Sequence, residues 1–87
     1  MVVYSVRIKR SAEREIERLA LAVRRRVVAK IAALASDPRP HGCQKLTGED
    51  KYRLRQGDYR IVYTIEDDVV TVTVVRVAHR GDVYRRT

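Results

Sequence analysis

The sequence predicts an α+β fold: an N-terminal strand, two helices forming a hairpin, then a three-stranded antiparallel meander, with the helices packed on one face of the sheet. Three stretches carry this reading. Apolar residues recur at Ile16, Leu19, Val23, Val27, Ile31 and Leu34 with helical spacing. Two alternating runs flank Gln56-Gly57-Asp58, the pattern of a tight hairpin. Residues 69–78, VVTVTVVRVA, form a β-branched run suited to a long central strand.

Residues 2–9 alternate loosely, with Tyr4, Val6 and Ile8 opposed to Val3, Ser5 and Arg7, and read as a first strand. Ser11 then offers an N-cap, and Glu13 and Glu15 sit where a helix start favours negative charge. The apolar period alone permits one helix over residues 12–35, with no Gly or Pro to break it. Such a helix would be about 36 Å long. A bend around residues 20–22 therefore follows from compactness. The Arg24-Arg25-Arg26 run covers most of a turn and is expected to point outward as a solvated helix face, direct nucleic-acid contact being the alternative. Two prolines and a glycine within residues 38–42 stop the helix and open a loop running to Asp50. Glu66-Asp67-Asp68 forms the turn into the last strand, and a short polar tail, HRGDVYRRT, ends the chain. There are no internal repeats, so residues 1–87 are read as a single domain.

A formal charge of +8 on 87 residues favours polyanionic partners, nucleic acid first. The basic residues are not gathered on one amphipathic helix opposite large apolar ones, which argues against a membrane surface. Residues 1–10 do not have the pattern of a signal peptide, and no stretch approaches a transmembrane span. Cys43 is the only cysteine, so an internal disulfide is excluded and a reducing cytoplasm is the expected setting. His41 and Cys43 are too few ligands for a structural zinc site and read as loop residues, so no metal or other cofactor is expected.

Strand parity gives the hairpin its chemistry. Tyr52, Leu54, Tyr59, Ile61 and Tyr63 share one face, and Arg53, Arg55 and Arg60 crowd the other. Three guanidinium groups on one open face repel each other unless an anion sits among them. A phosphate-handling surface is the first functional expectation, although the same cluster suits carboxylates of an acidic protein partner. Lys45, Lys51 and Arg85 add charge for RNA contact near it.

The order of elements, the Gly42-Cys43-Gln44-Lys45-Leu46 segment, the YRLRQGDYRIVY hairpin and the closing HRGDVYR together resemble the RelE/ParE superfamily of toxins from type II toxin–antitoxin systems. The resemblance spans nearly the whole chain and favours the RelE-like branch. It implies a ribosome-dependent, metal-independent mRNA endoribonuclease that inhibits translation. It also implies a cognate antitoxin, the ribosome and mRNA as partners, and operator DNA bound only through the antitoxin. On this sequence the nuclease residues of that branch fall at Arg53, Arg55, Arg60, Arg80 and Tyr84. The alternative branch, ParE-like, poisons DNA gyrase without nuclease activity. The absence of any lysine between Tyr52 and Tyr63, and a short tail, lean toward it. A plain nucleic-acid-binding module would satisfy the charge alone.

RNA cleavage without metal needs a base for the 2′-hydroxyl proton, cations for the phosphorane, and an acid for the leaving 5′-oxygen. Arg53, Arg55, Arg60 and Arg80 suit the second task, because a planar guanidinium grips two phosphate oxygens. Tyr84 suits stacking on an unpaired base, and equally closing the edge of the core. Arginine stays protonated, so Arg53 and Arg55 cannot serve as the base that lysines supply in some relatives. His79 is then the expected acid or base, or else a strand-end residue hydrogen-bonded to a carbonyl. Strict alternation after Thr71 sets His79 and Arg80 on opposite faces. Both serve one site only if the strand ends or bulges before them.

Overall fold

The computed structural model describes residues 2–79 of the chain. Strand β1 (Ser5–Ile8) leads into helices α1 (Arg10–Glu17) and α2 (Leu21–Ala33), followed by β2 (Gln44–Lys45), β3 (Tyr52–Gln56), β4 (Tyr59–Glu66) and β5 (Thr71–His79). The predicted α+β class holds, and the strands join in one five-stranded sheet of order β1-β5-β4-β3-β2. β1 runs parallel to β5 and the remaining pairs are antiparallel. The helices carry the chain from one edge of the sheet to the other, α1 lying over β5 and α2 over β3.

The helix does break, but earlier than compactness alone suggested. Arg18 closes α1, Leu19 turns its side chain into the core at 8% exposure, and Ala20 opens α2. No glycine or proline makes this bend. Arg24 does: its Nη2 donates to the carbonyls of Glu17 at 2.9 Å and Leu19 at 3.4 Å, satisfying acceptors that a helix end leaves orphaned. Arg24 is therefore a cap for α1, whereas Arg25 and Arg26 are exposed as expected. Ser11 is not the N-cap. Lys9 holds that position, because its N–H continues the sheet by donating to Val74 at 2.9 Å while its carbonyl accepts from Glu13.

Ala12, Ile16, Leu19, Val27, Ile31 and Leu34 from the helices meet Leu54, Ile61, Tyr63, Val72, Val74 and Val77 from the sheet in one buried cluster. Every apolar position that set the helical period packs into or against it. Two expectations fail at the sheet edges. The loop does not run unbroken to Asp50, since Gln44 and Lys45 pair with Arg53 and Tyr52. The N-terminal strand is four residues long, shorter than the alternation implied.

β1 covers only half of β5, leaving Val75 onward with an open edge on that side among the described residues. Glu15 of α1 fills the role of the missing strand. Its carboxylate accepts the Val77 backbone N–H at 2.7 Å and the Arg76 Nε at 3.2 Å. The β4–β5 register steps between Val62 and Tyr63, which leaves Val75 as an extra residue. This bulge switches parity, so Val77 rather than Ala78 joins Val72 and Val74 under the helices.

Loop 37–43 is tied down by a polar and aromatic knot. Arg39 pairs with Asp67 at 3.0 Å, lies over the Tyr52 ring, and donates to the Tyr52 hydroxyl. The Tyr4 hydroxyl donates to Asp67 at 2.6 Å, and the Tyr63 hydroxyl donates to the Pro38 carbonyl at 2.9 Å. These bonds lock the strand β1 entry, the loop after α2 and the β4–β5 turn together. Arg39 first, then Tyr4, hold the Asp67 carboxyl below the usual carboxylate range. Burial pushes the Tyr63 phenol well above the usual tyrosine range.

Candidate nucleic-acid interface

The hairpin positions its arginines through a two-residue turn. Gly57 takes φ +60° at the first central position, which a two-residue hairpin of matching twist demands, and Asp58 completes the turn. Register then follows: Arg55 stands directly opposite Arg60, and Arg53 opposite Val62. On the next strand Ala78 faces Arg60 and Arg76 faces Val62. The sheet face turned away from the helices therefore carries two rows, Arg55-Arg60-Ala78 and Arg53-Val62-Arg76. Parity brings Arg53, Arg55 and Arg60 to one face.

These three cations differ in freedom. Arg55 is exposed, Arg53 half-buried, and Arg60 only 8% exposed, with its Nε and Nη1 withdrawn from solvent. Ala78, placed opposite Arg60 by the bulge, leaves room for a guanidinium to lie close to the sheet. Like charges directly opposite across strands destabilise a sheet. Arg55, the exposed member of the opposed pair, is the one placed to meet an anion with charge-assisted, two-pronged hydrogen bonds.

The other sequence-predicted residues fall elsewhere. His79 ends β5 opposite Tyr59, and their rings meet edge-on with centroids 5.4 Å apart. That pairing sets His79 on the helix-covered side, away from the arginine rows. Lys45 stands opposite Tyr52, also off the arginine face, and is exposed. Lys51 pairs with Glu49 at 3.5 Å across solvent-exposed side chains. Arg80, Tyr84 and Arg85 lie outside the described residues. Among the described residues no three His, Cys, Asp or Glu side chains gather as a metal-binding group.

One feature escaped the sequence. A cavity of about 270 Å³ sits where β3 runs past the end of β2, lined by Lys30, His41, Gly42, Gln44, Arg53, Leu54 and Arg55. Lys30 comes from the last turns of α2 and His41 from the knotted loop, so no local spacing announces their approach. The only available signal was the mixed patterning of residues 43–46. Gln44 Oε1 accepts from Arg53 Nη2, which orients that guanidinium where the arginine face meets the cavity.

No helix among the described residues is long and apolar enough to cross a membrane. The family model of the ParE toxin of the parDE type II toxin–antitoxin system matches residues 6–84. Toxin RelG of Mycobacterium tuberculosis is 34% identical over 87 residues, covering 95% of this chain and 98% of its own. In the toxin–antitoxin complex RelBE2 of the same organism, a chain 33% identical matches with a TM-score of 0.81, covering 94% of this chain and 97% of that one. The archaeal RelE–RelB complex of Pyrococcus horikoshii OT3 gives 0.83 at 28% identity over 92% and 98%. The fold is thus shared with toxins along nearly the full chain, and the protein belongs to the RelE/ParE superfamily of type II toxins, its relatives here being RelE-like.

Proposed function

We propose that this toxin is a ribosome-dependent, metal-independent mRNA endoribonuclease that arrests translation and is neutralised by a cognate antitoxin. The observation that carries the reading is the Arg55–Arg60 pair, directly opposed across β3 and β4 with Arg53 beside it on the face away from the helices. Arg60, held close to the sheet, binds a non-bridging oxygen of the scissile phosphate and stabilises the phosphorane. Arg53 and Arg55 hold the flanking backbone. Arg80 completes the cationic ring and Tyr84 stacks on the base, roles drawn from the family resemblance, with Lys51 and Arg85 as further backbone contacts. His79 takes no proton in this reading, because its ring packs on Tyr59 across the sheet from the arginines; solvent water accepts the 2′-hydroxyl proton and returns one to the leaving 5′-oxygen, while the arginines hold the phosphorane charge. The antitoxin follows from the relatives, which are seen as RelE–RelB and RelBE complexes; operator DNA is engaged through that partner.

Arg60→Ala tests this directly. Cleavage of message bound to intact ribosomes is expected to fall by at least about 100-fold, the usual cost of removing one transition-state donor. Unchanged cleavage in that variant, or none by the wild type in a translating extract, overturns the reading. A gyrase-directed toxin is favoured by one observation, the arginine-only hairpin without lysine. Inhibition of gyrase supercoiling with translation untouched selects it instead.

A further inference from the structure

We propose that the cavity at the β3 edge is a second phosphate subsite, which takes the RNA backbone beside the segment held over Arg55 and Arg60. The inference rests on the RNA reading and extends the substrate path beyond the sheet face. Of the residues lining the cavity, Lys30, Arg53 and Arg55 carry positive charge, His41 offers a ring N–H donor, and none is a carboxylate. Such a concave wall of one sign focuses potential on an anion more strongly than a flat face does. Arg53 belongs to both places: it stands in the row opposite Val62 and lines the cavity, steered there by Gln44. A phosphate chain lying over Arg55 can therefore continue past Arg53 into the cavity.

His41 lines the cavity from a loop whose backbone is fastened on both sides. Arg39 is anchored on Asp67 and Tyr52, and the Cys43 N–H donates to the Pro40 carbonyl at 3.0 Å. A loop backbone held this way does not have to be ordered when an anion arrives, which lowers the entropic cost of binding. Lys30 approaches from a different element, across the open outer edge of β3. Two independently fixed elements thus converge on one small volume.

The test uses the purified chain and a fluorescent single-stranded 2′-O-methyl RNA, which binds without being cut. The wild-type dissociation constant is measured from 50 to 300 mM salt, alongside Lys30→Ala, His41→Ala and a control, Arg14→Ala, on the far helix. Lys30→Ala is expected to flatten the slope of log affinity against log salt by about 0.7, the share of one phosphate contact on a single strand. His41→Ala is expected to weaken binding severalfold, with His41→Gln recovering part of it, while Arg14→Ala tracks the wild type. If Lys30→Ala and His41→Ala behave as Arg14→Ala does, the subsite is refuted even where Arg60→Ala still abolishes cleavage. Loss of antitoxin affinity in Lys30→Ala with an unchanged RNA slope also refutes it and gives the cavity to the protein partner. A wild type that fails to cleave on ribosomes refutes the nuclease reading, and the salt slopes still decide the cavity.

Discussion

Tyr63 shows how one buried hydroxyl ties strand to loop. Its ring is fully buried in the core, and its hydroxyl donates to the Pro38 carbonyl. Tyr63→Phe is expected to cost about 1–2 kcal/mol in urea unfolding at neutral pH, from the lost bond and the stranded acceptor. The cost should shrink under alkali. Burial raises the phenol above its unfolded value, so its stabilisation is complete below pH about 10 and is lost as pH climbs toward the folded value. The phenylalanine variant lacks that alkaline loss, and the two stability curves converge above pH about 10. Val70 is the opposite case, a β-branched residue held at φ 50°, ψ 51° after the β4–β5 turn. Left-handed backbone is strained for such a side chain, so Val70→Gly is expected to raise stability by about 0.5–1 kcal/mol despite the freer unfolded chain. A fall in the thermal midpoint of that variant would show the side chain is held by packing worth more than the strain.

At the level of elements, the break between α1 and α2 depends on a cap that arrives from the second helix. Arg24→Ala is expected to cost about 1–2 kcal/mol, because two carbonyls lose a charged donor, whereas Arg26→Ala should stay within about 0.5 kcal/mol. Equal effects in chemical denaturation would remove the distinction drawn within the run. Nothing in the sequence separates the three arginines, since each is a plausible surface residue by period. What could be read was whatever depends on period alone: the inward set from Ile16 to Leu34, and the parity that gathers Arg53, Arg55 and Arg60. What could not be read depends on neighbours distant in sequence. The Val75 bulge answers to Glu15 and to the end of β1, and the two-residue strand at Gln44 exists only because β3 offers it an edge. Strict alternation therefore failed for Val77 and Ala78, and His79 came to rest beside Tyr59 rather than with the arginines. The cavity was invisible for the same reason, as its walls are separated by more than twenty positions between Lys30 and Arg53.

For the molecule as a whole, Asp67 is the carboxylate on which three segments converge. Arg39 and Tyr4 depress its folded value below the unfolded one, so the knot contributes fully above pH about 4 and its contribution is lost as pH falls through the folded value. Asp67→Asn is expected to flatten that acid limb in thermal melts taken from pH 2 to 6. An acid limb identical to the wild type's would place the sensitivity in other carboxylates. The sheet order has its own outcome for how the toxin comes into being. Because Ser5 aligns with Thr71, the strand made first in synthesis must wait for the strand made last. Closing so long a loop is entropically slow. A chain still lacking β5 therefore cannot join β1 to β4, and the sheet stays in two unlinked pieces until that strand emerges.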